Sequence, residues 1–312
     1  MSAAPNNPIR GISFKLISVA FFLVMQTCIK AAGSDVPAGQ ISFFRSTFAI
    51  VPIVIYLAYL RSLSSAFHTE NLFGHFKRGL LGILSMICGF YGLTLLPLPE
   101  FIAIGYASPL MAVVFAALVL GEAVRIYRWS AVLIGMSGVI IILWPKLTLL
   151  QQGGFEAGEG IGALAVLLAA VLGGLAMVQV RQLVVTEKTA TIVLYFSLTG
   201  SLLSALSLPF AWEWLDWKQT TLLISCGIAG GIAQILLTES YRHAEVSTIA
   251  PFEYSSILFG IGVSYVLFGD IPTVTMLVGT AIVVFAGIFI IFREHQLGLA
   301  RKAARKASSP QG

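Results

Sequence analysis

Ten apolar stretches, each long enough for a helix to cross a bilayer, follow one another along this chain of 312 residues with only short loops between them. They run at about 11–32, 38–60, 76–96, 100–120, 129–145, 160–180, 190–211, 219–241, 246–268 and 273–292. A spanning helix needs about 20 mostly apolar residues. In hydrocarbon only helices and closed barrels satisfy every backbone group, so runs of this length read as helices. Charged residues make up 11% of the chain, against about 25% in a soluble domain. The reading is an all-α integral membrane protein with ten transmembrane helices. The first run, Gly11 to Ala32, is longer than a signal-peptide core and reads as a retained span.

Lysine and arginine fix the expected orientation. In the ten-span arrangement all but four of the 19 fall on one side, the four being Lys30, Arg45, Lys146 and Lys218. The positive-inside rule then places both termini in the cytoplasm. Trp144, Trp212, Trp214 and Trp217 fall at external span ends, where an aromatic belt belongs.

One span contains a proline and a carboxylate, Pro251 and Glu253, in the stretch EVSTIAPFEYSSILFGIGVSYVLFGD from Glu245 to Asp270. A carboxylate there costs about 2.5 kcal/mol or more unless it is paired, protonated or hydrated. The pattern occurs twice. In EFIAIGYASPLMAVVFAALVLGE, from Glu100 to Glu122, Tyr106, Ser108 and Gly121-Glu122 match Tyr254, Ser256 and Gly269-Asp270 at one offset of 148 residues. Five spans is an odd number, so two five-span halves enter the membrane in opposite directions. Such inverted repeats build many secondary transporters. The expected organisation is a first repeat at 1–145, an external linker at 146–159, a second repeat at 160–292 and a basic, poorly ordered cytoplasmic tail at 293–312.

These residues carry a family resemblance. FFRSTFA in the second span, YGLTLLPLPEFIAIGYASPLMAVVFAALVLGE across the third and fourth, and TESYRHAEVSTIAPFEYSSILFGIGVSYVLFGD across the eighth and ninth resemble the EamA family of the drug/metabolite transporter superfamily. The resemblance implies two inverted five-helix repeats around a central substrate cavity. The match is not symmetric: Phe196 stands where the FFR arginine would repeat, and Ile257 where Pro109 would.

Candidate pathway residues follow from depth and chemistry. Arg45 and Glu253 lie about 12 Å inside their spans at the helical rise, and are expected to meet in one cavity, either as part of the pathway or as an ion pair locking two helices. Lys30 and Glu239, near span ends, are expected to snorkel. Tyr91, Tyr106, Tyr241 and Tyr254 offer rings for stacking, and Gln26 and Gln234 offer paired donors and acceptors. This set suits a planar, weakly polar solute. Glycines such as Gly138 and Gly279 read as close helix packing.

The leading function is movement of a small organic metabolite across the bacterial inner membrane. Riboflavin uptake is the preferred case; export of amino acids or related metabolites, or S-adenosylmethionine uptake, is the alternative. An enzyme is disfavoured, because the four histidines are scattered and neither a metal-ligand spacing nor a nucleotide-binding glycine loop occurs. The net charge of +5 comes without a basic-aromatic stripe, which argues against nucleic acid. Cys28, Cys88 and Cys226 read as apolar packing residues. No catalytic residue, cofactor or metal is expected; the expected partners are the substrate, the lipid bilayer and a second copy in a homodimer.

Overall fold

The computed structural model describes residues 8–61, 63–121, 124–152, 157–183, 186–187, 189–243 and 250–308. Among these residues there are helices and no strand. The principal helices are α1 (Pro8–Ala32), α2 (Ala38–Tyr59), α3 (Leu72–Leu95), α4 (Leu98–Leu120), α5 (Ile126–Gln152), α6 (Ala157–Leu183), α7 (Thr189–Ala205), α8 (Trp217–His243), α9 (Ser255–Phe268) and α10 (Val274–Ser308). Eight are long and apolar enough to cross a membrane, and α7 and α9 are shorter apolar helices. The expected fold class therefore stands as an all-helical membrane protein with ten principal helices among the described residues.

Local chemistry sets the boundaries. Asn71 caps α3 by accepting the Gly74 N–H at 2.8 Å. Pro97 and Pro99 open α4, where a missing N–H costs nothing. Gly121 and Gly269 close α4 and α9 with positive φ of 64° and 71°, a left-handed cap that glycine adopts without strain. These glycines lie 148 residues apart, so the sequence repeat is also a backbone repeat. Two segments differ from expectation. Helix α5 continues through Lys146 to Gln152, beyond the apolar run. The basic tail continues α10 to Ser308, where an unordered end was expected.

Packing pairs the two halves. Helix α1 lies along α8, α3 along α6, α2 along α7 and α8, and α5 along α10. Exchanging the halves turns the pair α1–α8 into α6–α3, and returns α2–α7 and α5–α10 to themselves. Close crossings rely on glycine: a Cβ on Gly138 would stand 2.7 Å from the Gly279 carbonyl, and one on Gly279 2.6 Å from that of Gly138. Backbones approach this closely only without side chains between them. The largest apolar core draws on both halves, including Ile29, Leu93, Ile104, Leu223 and Val283. The outer surface is apolar too, with Leu133, Val266 and Phe285 exposed, as a lipid-facing surface requires.

Candidate transport pathway

Charged and aromatic groups gather at four places. The first is the end of the bundle where α1 hands over to α2, here the Lys30 end. Lys146 on α5 lies 3.1 Å from Glu100 Oε2 on α4 and 2.5 Å from Glu159 Oε2 on α6. Lys30 donates to the Leu96 carbonyl at 2.6 Å, lies 4.0 Å from Asp270 Oδ2 and sits over the Phe268 ring. Asp270 also accepts from Ser264 at 2.7 Å. Three of these charges complement their helix dipoles: Lys30 in the last turn of α1, Glu100 in the first turn of α4 and Glu159 in the first turn of α6. Helices from both halves are thereby tied together at this end.

The second place is the junction of the halves. Pro109 cannot donate to the carbonyl four residues earlier and crowds it, so α4 breaks at Tyr106 (φ −65°, ψ −7°). Tyr254, at the start of α9 after a 3₁₀ turn containing Pro251, has nearly the same angles (φ −67°, ψ −12°). These repeat-equivalent tyrosines meet, with ring centroids 5.0 Å apart and edge to face. The Tyr106 hydroxyl lies 2.6 Å from Ser256 Oγ and 3.5 Å from the Tyr254 carbonyl. A side chain at Gly287 would collide with the Tyr254 hydroxyl, so glycine on α10 makes room for it.

The third place surrounds Phe196 on α7. The guanidinium carbon of Arg78, on α3, is 3.9 Å from its ring centroid, and that of Arg45, on α2, is 5.5 Å away. Arg45 is 5% exposed. The Nε atoms of both arginines and Nη1 of Arg78 are buried without a hydrogen-bond partner. Neither arginine has an ion pair among the described residues.

At the fourth place, Lys15 Nζ on α1 donates to Glu253 Oε2 at 2.9 Å. The lysine is buried, whereas the carboxylate side chain is 51% exposed. Glu253 was expected to meet Arg45. It takes Lys15 instead, because α1 packs against the 3₁₀ turn that carries Glu253 while Arg45 lies over Phe196.

Of the other candidates, Gln26 is half-buried with no hydrogen-bond partner among the described residues, and Gln234 is half-buried with a partner. Tyr91 is exposed on α3. Tyr241 lies on α8 with its side chain outside the described residues, as is Glu122 altogether. Lys30 does not simply snorkel: its ammonium is bound to a carbonyl inside the bundle. Glu239 accepts from Tyr56 at 2.5 Å. Sequence reasoning missed Lys15, Arg78, Glu100, Lys146 and Glu159 as interior groups. Lys15 had left a signal, since it lies four residues into an apolar run.

Ten helices, an apolar exterior and charges bound inside the bundle define a multi-pass membrane protein built from two related halves. The chain belongs to the EamA-like transporter family, whose model matches residues 9–144 and again 160–293. It is similar to the pseudopaline exporter of Pseudomonas aeruginosa, 27% identical with 89% of this chain and 94% of that protein covered. The riboflavin transporter of Rhizobium johnstonii is 28% identical (91% and 89% covered), and the S-adenosylmethionine uptake transporter of Rickettsia prowazekii 24% (95% and 97% covered). One solved crystal structure shares the fold at a TM-score of 0.62 and 20% identity, with 92% of this chain and 98% of that chain covered. The protein is a small-molecule transporter of this family.

Proposed function

We propose that this chain is a secondary transporter of the bacterial inner membrane that moves a small organic metabolite along the interface of two inverted halves, residues 1–145 and 160–292, with both termini in the cytoplasm. The observation that carries this reading is the meeting of Tyr106 and Tyr254, equivalent positions at equivalent helix breaks. A repeat whose matching residues touch across the middle suits a pathway there. The Lys30 end then faces outward, and the Lys15–Glu253 pair faces the cytoplasm. For solute to pass at the outer end, Lys146 must release Glu100 or Glu159, and Lys30 must leave the Leu96 carbonyl. The ion network thus serves as an outer gate.

Two solute readings have support. Riboflavin uptake is favoured by the Tyr106–Tyr254 rings, by the Gln26 amide, which has no partner among the described residues, and by relatives that carry that name. Export or uptake of a charged metabolite is favoured by the unpaired arginines at Phe196. Reporter fusions after Pro37, Gln151 and Trp214 should read as external, and fusions after Ser65 and Glu187 as internal. An external signal from the C-terminal tail would sink the inverted arrangement. Purified protein in proteoliposomes should accumulate a labelled solute from a panel of vitamins and amino acids without forming product. Product formation would overturn the transporter reading.

A further inference from the structure

Arg45 and Arg78 are left unused by every ion pair described above. A guanidinium stays charged at any physiological pH. Burying it without a counter-charge is costly, and a second like charge beside it raises that cost. Phe196 offers both cations its ring face but no hydrogen-bond acceptor. Three buried N–H groups, Nε of Arg45 and Nε and Nη1 of Arg78, therefore stand unfilled next to one ring. The surroundings make room for them. A Cβ at Gly82 would stand 2.5 Å from Arg78 Nη1 and 2.7 Å from the Phe196 ring, so a side chain there would intrude on the guanidinium. The Nε–Nη2 edge of arginine is the fork that grips a carboxylate or phosphate through two parallel bonds, and each arginine holds the Nε half of that edge unfilled.

We propose that Arg45 and Arg78 bind the oxyanion of the transported solute, so that the substrate is a small organic anion bearing a carboxylate or phosphate. The proposal rests on the reading of the chain as a transporter and adds the charge of its cargo. In this view the chain leaves the cations unpaired because the counter-charge arrives with the solute and departs with it. A permanent internal carboxylate would compete for the site.

The test uses the full chain in detergent, at constant ionic strength, with succinate, inorganic phosphate, riboflavin and riboflavin 5′-phosphate as probes. The last two differ only in the oxyanion. The expected result is a rise in melting temperature with at least one anion, and at least tenfold tighter binding of riboflavin 5′-phosphate or succinate than of riboflavin. The anion that acts distinguishes carboxylate from phosphate. Arg45→Gln and Arg78→Gln should each lose tenfold or more in anion affinity, while the melting temperature without ligand holds or rises, because an unpaired buried charge has gone. Arg45→Lys should keep part of the affinity. Absence of any anion effect in the wild type, or equal effects in wild type and both glutamine variants, would overturn the proposal. A fall in the unliganded melting temperature of both glutamine variants, with riboflavin bound as tightly as its phosphate, would also overturn it. In proteoliposomes, accumulation of a neutral solute unaffected by either glutamine variant removes the anion site and leaves transport standing. Anion stabilisation that is lost in the variants, without accumulation of any solute, removes transport and leaves the site standing.

Discussion

At the Lys30 end, two lysines and three carboxylates share partners, and helix termini add dipoles of the right sign. Around Phe196, Arg45 well inside α2 and Arg78 in the second turn of α3 have neither a carboxylate nor a carbonyl partner among the described residues. The difference is partly one of backbone: a helix end offers unused carbonyls and N–H groups, while mid-helix backbone is already bonded to itself. A charge at an end can be satisfied from within the protein. A charge at mid-span needs a side chain from another helix or something that is not part of the chain. The contrast separates charges that hold the bundle together from charges that wait for cargo, and substitutions can test it.

The largest effect is expected at the Lys30 end. Lys146→Met strands Glu100, which is buried, and losing one partner of a buried pair costs about 3–5 kcal/mol. Unfolding in mixed micelles should show that loss, and adding Glu100→Gln to Lys146→Met should recover much of it. Purely additive losses would mean that the two groups are not coupled, and the gate would lose its centre.

Next comes Lys15–Glu253, where the partners are unequal. Glu253→Gln strands a buried ammonium, whereas Lys15→Met leaves a carboxylate that is half exposed and can find water. The first change should cost about 2–3 kcal/mol and the second about 1 kcal/mol or less. In a double-mutant cycle, Lys15 and Glu253 should couple while Arg45 and Glu253 add independently. Coupling of Arg45 to Glu253 would restore the pairing expected from sequence.

That pairing shows where sequence reading stopped. The ten helices were legible because span length is a one-dimensional property, and the 148-residue repeat located Tyr106, Tyr254, Gly121 and Gly269 in advance. Which face of each helix turns inward was not legible. In a soluble helix an apolar stripe marks the buried side, but here lipid and core are both apolar and no stripe forms. Glu253 could therefore be assigned a depth but not a neighbour, and Lys15 and Arg78 were counted as orienting charges when both lie against interior partners. Glu100, Lys146 and Glu159 were hidden for another reason: the two glutamates sit in first turns of helices and Lys146 just past an apolar run, where a charged residue excites no suspicion.

A third prediction concerns Glu187, in the loop before α7. Its Oε1 accepts from the Thr69 hydroxyl at 2.6 Å and from the N–H groups of Glu70 and Asn71 at 2.9 and 3.1 Å. Burial pushes this carboxyl up, but those hydrogen bonds and the neighbouring His75 more than offset it, so it stays below its ordinary 4.5. Its stabilisation is fully present above the ordinary value and is lost as pH falls through the lower, folded value. Glu187→Gln should cost about 1–2 kcal/mol at neutral pH, raise hydrogen exchange at 69–71, and flatten the acid limb of the stability profile. An unchanged acid limb would show that the clamp does not depend on charge.

The smallest effect separates the two equivalent tyrosines. Ser256 has one proton, and it goes to the Glu253 carbonyl at 2.8 Å, so the Tyr106 hydroxyl must be the donor in its 2.6 Å contact with Ser256. Tyr106→Phe removes that donor and leaves the serine's own proton satisfied, a loss of about 0.5–1.5 kcal/mol. Ser256→Ala instead leaves the buried Tyr106 hydroxyl with only the long contact to the Tyr254 carbonyl, and should cost more, about 1–3 kcal/mol. The Tyr254 hydroxyl makes no hydrogen bond among the described residues, so Tyr254→Phe should fall within about 0.5 kcal/mol of wild type. Chemical unfolding of the three variants ranks them directly. If Tyr254→Phe costs as much as Tyr106→Phe, the two halves contribute equally at their junction, and the asymmetry seen at Phe196 does not extend there.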